Sequence, residues 1–583
     1  MNMKRLIYKS ILFFVVLMMS FSLYARSLVK KDLEKKNSVP TVNVRMPFTK
    51  GLNLTKWLEP FGFGNSSSTH FGKSDFVDIK SLGVEIVRIP IHFEQWSLGK
   101  PDYIIPNWLW EKIDSAVEWC TELKMYMIID FHNACDAASK TKPDVEKMLL
   151  KIWEQIATRY KDSSEYVLYE IMNEPHFKSG NNEADLKKWG KIQGNVLKLI
   201  RSIDKKHTVI VGAELWNSLN FITTIPDYDD DNLIYNFHDY SPFLFTHQGA
   251  EWTDINRLQK IPFPYVKEKM PPLPKNATAS EVWHHKNYEK EASEEFLVEP
   301  LNKAVEFANK RNVALMCNEY GVYMNHADKE ERASWYRIKS KWLEERGIIR
   351  VSWDYTGGLG IFNNHEGNFP EDLNVELIKA MGLNVPPMTK RVRYTWIESA
   401  TKKNDYTIYK NGLAENVRFD GWLQSDKEKV DFFKKDFKDD DSYIYIPNAK
   451  AYNSFQFDFR GICDLSQLKD SGKKLEFEIR SNQKDLRLDV YFRNKDDPSN
   501  GIKGKPWRCG VFLRKSWVTY DGQWHKVSIP LTKFKDYGAW DNYENKWYNS
   551  EQQFDWKKIE KLCFDFAEIP CNKDVSIRNI QIK

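Results

Sequence analysis

The chain has 583 residues, 42% hydrophobic and 14% aromatic, with a formal net charge of +5. That length exceeds one ordinary domain and predicts a large domain with a smaller one beside it. The charges are few in excess and dispersed, which leaves no nucleic-acid footprint. The aromatic content is more than cores require and provides Trp and Tyr to meet a ligand.

Lys4, Arg5 and Lys9 precede an apolar run, Ile11 to Met19, that passes into Ser20-Phe21-Ser22-Leu23-Tyr24-Ala25. This order predicts a signal peptide over 1–25, cut after Ala25. The run is short for a bilayer span, and nothing later is long and apolar enough for one. The expectation is a secreted or periplasmic protein, monomeric, with no membrane partner after cleavage. Residues 26–44 are polar and Lys-rich and read as a disordered lead. Seven cysteines follow, Cys120, Cys135, Cys317, Cys463, Cys509, Cys563 and Cys571. So sparse and odd a set is no disulfide framework and leaves room for a bridge or two at most, toward the C-terminus. None has the spacing of a zinc site, and no metal or cofactor is expected.

From residue 45 to about 385 short apolar runs alternate with helical periodicity. The runs are Gly51–Leu54, Glu85–Ile89, Met125–Phe131, Val167–Met172, Thr208–Gly212, Leu233–Phe237, Val313–Cys317 and Ile349–Trp353. Helices are predicted over Trp108–Leu123, Val145–Tyr160, Leu186–Ile203, Ala292–Asn309 and Arg332–Arg346. Strand–helix alternation implies a parallel sheet, and eight units imply a closed eight-stranded (β/α)8 TIM barrel. Residues 386–405, opening on Pro386-Pro387, read as a linker. From 406 to 583 short alternating runs predict an antiparallel β-sandwich.

Chemistry in such a barrel sits at the C-terminal ends of the strands. Those ends carry Arg88 and His92, Asp130 and His132, Asn173 and Glu174, Glu214 and Trp216, His238 and Tyr240, Glu319, and Trp353-Asp354. Taken singly, each has a plain structural explanation: a salt-bridged carboxylate, a hydrogen-bonded histidine, a core indole. Together, at one mouth, they suit hydrolysis of a glycosidic bond, which needs one carboxyl to donate a proton and another to attack the anomeric carbon or activate water. Arg88 and Tyr240 suit the stabilisation of an ionised Glu319, Asn173 a sugar hydroxyl, and Trp353 the face of a pyranose.

The motifs Val87-Arg88-Ile89-Pro90, Asp130-Phe131-His132, Met172-Asn173-Glu174-Pro175, Phe237-His238-Asp239-Tyr240, Asn318-Glu319-Tyr320-Gly321 and Val351-Ser352-Trp353 resemble those of glycoside hydrolase family 5, the cellulase-type retaining enzymes. The resemblance implies Glu174 as acid/base and Glu319 as nucleophile. It implies Arg88, His132, Asn173, His238, Tyr240 and Trp353 as substrate-binding residues, and a β-1,4-linked polysaccharide as partner. The stretch Ser241 to Trp252 is similar to one in endoglucanase members and favours β-1,4-glucan over mannan or xyloglucan. Trp57, Trp96, Trp216 and Trp252 are candidates for distal sugar platforms, each with packing under a loop as the alternative. A remoter alternative is a non-catalytic glycan-binding surface protein.

The C-terminal stretches Asp521 to Val527, Asp555 to Ile559 and Val575 to Ile580 are similar to galactose-binding-like jelly-roll modules. This implies a carbohydrate-binding module, with a ligand-free stabilising domain as the alternative. Trp540, Tyr543, Trp547 and Tyr548 lie in a polar, loop-like stretch that suits an exposed platform. Asp420 and Asp439-Asp440-Asp441 are weighed as calcium ligands without a commitment to a bound ion.

Overall fold

A computed structural model describes residues 39–59, 71–132, 140–364, 367–388, 406–414, 417–422, 431–436, 441–541, 544–568 and 570–583. The expected signal peptide, most of the lead and most of the linker lie outside these residues, as do Cys135, Asp439 and Asp440. No helix among the described residues is long and apolar enough to cross a membrane.

Eight parallel strands close on themselves: β1 (Lys50–Asn53), β2 (Ile86–Ile91), β3 (Tyr126–Phe131), β4 (Val167–Glu170), β5 (Val209–Gly212), β6 (Leu233–His238), β7 (Ala314–Glu319) and β8 (Ile349–Ser352), with β1 paired to both β2 and β8. Each coincides with one predicted apolar run to within a residue or two at most ends, because a strand buried on both faces is apolar along most of its length. The interior is packed, not hollow. Ile86, Ile128, Leu168, Ile210, Ile234, Met316 and Val351 fill the lower layers, and Phe48, on the segment before β1, packs among them. The helical periodicity of 145–160 is met in full by the helix Val145–Tyr160, which buries Leu149, Ile152, Trp153 and Ile156 against the sheet. Helices absent from the sequence expectation include Lys73–Ser81 and Ala279–Glu291; the latter buries Glu281 and Tyr288 rather than an apolar stripe.

The C-terminal part is two antiparallel sheets around one core of Phe, Leu, Ile and Val side chains. Its strands are β9 (Tyr406–Tyr409), β10 (Arg418–Trp422), β11 (Asp431–Lys435), β12 (Ser442–Ile446), β13 (Ser454–Cys463), β14 (Lys474–Ser481), β15 (Leu488–Asn494), β16 (Trp507–Leu513), β17 (His525–Pro530), β18 (Lys535–Asp541), β19 (Lys546–Tyr548), β20 (Ile559–Phe566) and β21 (Val575–Ile582). One sheet runs β10-β13-β20-β15-β16-β18-β19; the other runs β11-β12-β21-β14-β17, with β9 on β21. The polar stretch around Trp540 and Trp547 is not a loop. It is the hairpin β18–β19, paired Ala539 to Tyr548 and Trp540 to Trp547. Cys120, Cys317, Cys463, Cys509, Cys563 and Cys571 are all buried and free, so among the described residues no bridge forms.

Candidate active site

The C-terminal ends of β2, β3, β4, β6, β7 and β8 bring Arg88, His132, Asn173, Glu174, His238, Tyr240, Glu319 and Trp353 to one mouth. Arg88 is the hub and has no exposed surface. Its Nη1 donates to Glu319 Oε1 at 2.8 Å and to Asn53 Oδ1 at 3.0 Å. Its Nη2 donates to Asn173 Oδ1 at 2.6 Å and to Glu170 Oε1 at 2.9 Å, and lies 3.0 Å from Asp130 Oδ2. Its Nε donates to Glu170 Oε2 at 2.7 Å. Because Asn173 Oδ1 is taken by Arg88, its amide NH2 is left to donate elsewhere.

One carboxyl oxygen of Glu174, one of Glu319 and a ring nitrogen of His238 all lie within 4.8 Å of one another. His238 Nδ1 stands between the carboxyls, 2.8 Å from Glu174 Oε1 and 3.5 Å from Glu319 Oε2. Burial raises Glu174 to about 7, with the Glu170 charge adding to it. Burial also raises Glu319 to about 7, opposed by His238, Arg88 and the hydroxyl of Tyr240. The two are not equivalent. Glu319 accepts directly from Arg88 and from Tyr240 Oη at 2.9 Å, bonds that favour its charge. Glu174 meets neither, and its side chain is 28% exposed against 7% for Glu319. His132 Nδ1 lies 2.6 Å from Asp130 Oδ2, and its ring stacks on Trp353 at 5.5 Å and 14°. Burial lowers both His132 and His238, disfavouring their charged forms.

Not every strand-end residue joins the site. His92 caps the short helix Phe93–Trp96, accepting from Gln95 N at 3.3 Å. Glu214 is buried and accepts from Phe177 N at 2.7 Å. Of the four distal indoles, two are core. Trp57 packs edge-on against Phe71 and Phe76, and Trp96 donates to Leu58 O at 2.7 Å. Trp216 and Trp252 are 41% and 60% exposed. Trp216 is held out by three successive left-handed residues, Leu215, Trp216 and Asn217, with φ of 65, 58 and 52°. Such a turn is strained for side chains other than glycine. Asn217 secures it by accepting from Ala213 N at 3.1 Å and donating no room to a neighbour: a Cβ on Gly212 would lie 2.4 Å from Asn217 Oδ1. The indole stacks on His176 at 4.8 Å and 12°, and His176 Nδ1 lies 2.5 Å from the Glu174 carbonyl.

Several residues of the site were missed by sequence reasoning: Glu170, Asn53, Asn318 and Glu59. Asn318 Nδ2 donates to Glu170 Oε2 at 2.8 Å, Asn53 Nδ2 donates to the Asn318 carbonyl at 2.9 Å, and Glu59 Oε1 sits 3.5 Å from His132 Nε2. The signal for Glu170 was present. A carboxylate inside an apolar strand cannot stay charged without a partner.

In the C-terminal part, one face of the larger sheet points away from the core and is aromatic and charged. Tyr537 stands 5.4 Å from Phe512, 5.9 Å from Tyr491 and 6.1 Å from Trp547. Arg508 lies over Tyr491 and Trp547, and Tyr491 Oη donates to Asp565 at 2.8 Å. Phe512 is 50% exposed and Trp547 38%. Of the expected platform, Trp547 belongs to this face, Trp540 and Tyr548 are half-buried, and Tyr543 lies outside the described residues.

A closed α/β barrel whose mouth pairs two carboxyls beside a buried arginine is the arrangement of a glycoside hydrolase. Residues 49–358 match the model of the cellulase family, glycosyl hydrolase family 5, and the chain belongs to that family. Residues 402–583 match carbohydrate binding domain 30. Endoglucanase 3 of Fibrobacter succinogenes is 31% identical over 57% of this chain and 52% of its own length. Endoglucanase C of Acetivibrio thermocellus is 29% identical over 53% of this chain and 91% of its own. Endoglucanase H of the same organism is 28% identical over 83% of this chain and 49% of its own. The chain thus spans about half the length of two of these three relatives.

Proposed function

We propose that the chain is an endo-β-1,4-glucanase that cleaves with retention, Glu174 serving as acid/base and Glu319 as nucleophile. The observation that carries this reading is the asymmetry of the pair: carboxyl oxygens within 4.8 Å, with Arg88 and Tyr240 bonded to Glu319 alone. Retaining enzymes hold their two carboxyl groups about 5–5.5 Å apart, too close for a water to sit between them and attack. Glu319 attacks the anomeric carbon as Glu174 gives its proton to the departing oxygen. Glu174, now ionised, then takes a proton from the water that displaces Glu319 from the sugar. The free amide hydrogens of Asn173 suit the sugar 2-hydroxyl, and the Trp353–His132 stack offers a flat floor to the ring.

Glucan is favoured because the related proteins are named endoglucanases. Release of reducing ends from barley glucan and soluble cellulose derivatives, with a rapid fall in viscosity, is the expected result. Cleavage of galactomannan or xyloglucan with none of any glucan would replace this reading by the mannanase or xyloglucanase alternative. Product released only from chain ends would replace endo by exo action. The outward face around Tyr537 and Trp547 is the proposed glycan surface of the C-terminal part. The first 25 residues are proposed to be removed on export, and N-terminal sequencing of the exported chain tests the cut after Ala25.

A further inference from the structure

One helix holds the segments that leave β6, β7 and β8 from behind. In Lys329–Glu345 the buried residues include Arg332, Trp335, Tyr336 and Lys339, which share one face at i, i+3, i+4 and i+7. Such a face is ordinarily an apolar stripe. Here every one of the four ends in a polar atom bonded to the mouth side of a strand. Arg332 Nε donates to the Val322 carbonyl at 3.0 Å, and its Nη2 donates to the Leu359 and Gly360 carbonyls at 2.8 and 2.7 Å. Tyr336 Oη donates to the Leu359 carbonyl at 3.2 Å, and Trp335 Nε1 to the Ser241 carbonyl at 3.2 Å. Lys339 Nζ donates to Asp239 Oδ2.

The Lys339–Asp239 pair lies nearest the chemistry, and the mechanism above does not use it. The two residues are 1% and 3% exposed. Asp239 stands between His238 and Tyr240 in the chain. Its N–H donates to the Glu319 carbonyl at 3.0 Å, and its Oδ1 accepts from Ser241 N at 3.0 Å. Tyr240 Oη in turn donates to Glu319 Oε2 at 2.9 Å. Cys317 faces the same place from β7, and its thiol donates to the Glu319 carbonyl at 3.4 Å. A buried ion pair is often no more stabilising than apolar side chains of the same volume, because both charges must leave water. What it does supply is direction. Asp239 is turned toward the ammonium that the helix presents, and the residues on either side of it are turned toward the two carboxyls.

We infer that Lys339 is a positioning residue for the nucleophile: by holding Asp239 it fixes the segment 238–241, and with it the Tyr240 hydroxyl that bonds Glu319. The inference rests on the enzyme reading above, with Glu319 as nucleophile.

The test uses the full chain. Lys339→Met leaves Asp239 without its partner. Lys339→Met combined with Asp239→Asn removes both charges at nearly the same volumes and is expected to fold even where the single variant does not. Below its melting transition, each folded variant is expected to lose about 10- to 100-fold in kcat on barley glucan with KM little changed, because a small displacement of a bonded group is that costly. The acid limb of kcat/KM should move to higher pH, since Arg88, Glu174 and His238 still face Glu319 while the Tyr240 bond is weakened. In a Tyr240→Phe chain, which lacks the hydroxyl, the same change should cost no more than about 2-fold and leave the limb in place. An equal loss in both backgrounds, or full kcat in a folded variant, would overturn the inference. Failure of both variants to fold would make the pair a stability element and overturn it as well. Hydrogen exchange separates the two readings without catalysis. The peptide over 238–246 should exchange faster in the double variant while Tyr126–Phe131 keeps its protection. If the wild type cleaves no β-glycan yet this peptide loosens, the enzyme reading fails and the fixing of the segment stands. If wild-type turnover is normal and exchange is unchanged, the positioning role fails alone.

Discussion

Glu170 takes two hydrogen bonds from Arg88, at 2.7 and 2.9 Å, with neither residue reached by solvent to more than 2%. The pair sits beneath the catalytic mouth and fixes the guanidinium that in turn holds Glu319 and Asn173. Removing one partner of a buried ion pair leaves a charge without compensation, which costs about 3–5 kcal/mol. Glu170→Ala is expected to destabilise the barrel by that amount in denaturant unfolding and to lower kcat. A variant with wild-type stability and activity would show that Asp130 and Glu319 suffice to hold Arg88.

Glu319→Ala is expected to lose several orders of magnitude in kcat, because the covalent step disappears. Azide entering the vacated space should restore turnover and give a glycosyl azide of inverted configuration. A product of retained configuration, or full activity without azide, would remove Glu319 from the nucleophile's role.

The pH profile should be a narrow bell around neutrality. Glu174, raised to about 7 by burial, must be protonated, so activity falls as pH rises through its pKa. Glu319 must be ionised, so activity falls as pH drops, and the two limbs belong to the coupled pair. The Tyr240 hydroxyl lowers Glu319, so Tyr240→Phe is expected to move the acid limb to higher pH and narrow the bell. An acid limb that stays in place in kcat/KM would show that Tyr240 does not tune the nucleophile.

Binding by the C-terminal face can be read without catalysis. In a Glu319→Gln chain, Trp547→Ala and Arg508→Ala should each reduce retardation by barley glucan in affinity electrophoresis, since both remove part of one stacked surface. Unchanged retardation in both would assign the retention to the barrel.

The six described thiols are free and buried, and burial raises them, Cys509 and Cys563 to about 12 and Cys571 to about 11. A thiol reagent at pH 8 should reach these six only after unfolding, and reductant should leave the melting temperature unchanged. Fast labelling of more than one thiol in the native chain would contradict this burial.

The barrel was legible because its strands are mostly apolar and its helices periodic, and most runs ended near a polar residue that meets the mouth. What stayed hidden was governed by partners distant in sequence. Asn53, Glu170 and Asn318 matter through Arg88, and no local pattern links them. Trp57 and Trp96 were indistinguishable from Trp216 and Trp252 as letters. Phe71 and Phe76 bury the first and the Leu58 carbonyl claims the second, whereas a left-handed turn holds Trp216 outward. Strand β15 likewise alternates Leu, Val and Phe with Asp, Tyr and Arg, and β16 alternates Cys, Val and Leu with Arg508, Gly510 and Phe512; only the sheet order reveals that the outward sets form one continuous surface.

Asp130, Glu170 and Glu319 pair with one guanidinium at the barrel mouth, and Glu174 stands beside them without touching it. Acidic groups outnumber the basic one, so as pH rises past the raised pKa values of Asp130, Glu174 and Glu319 the mouth becomes anionic and discriminates among polymers before any hydroxyl is read. A chain of uronic acids would bring its own carboxylates against this mouth and be repelled, while an uncharged glucan meets no such barrier. On a carboxymethylated cellulose the same field directs the cut to stretches of bare sugar, so the spacing of substituents, more than their number, would set how far digestion runs.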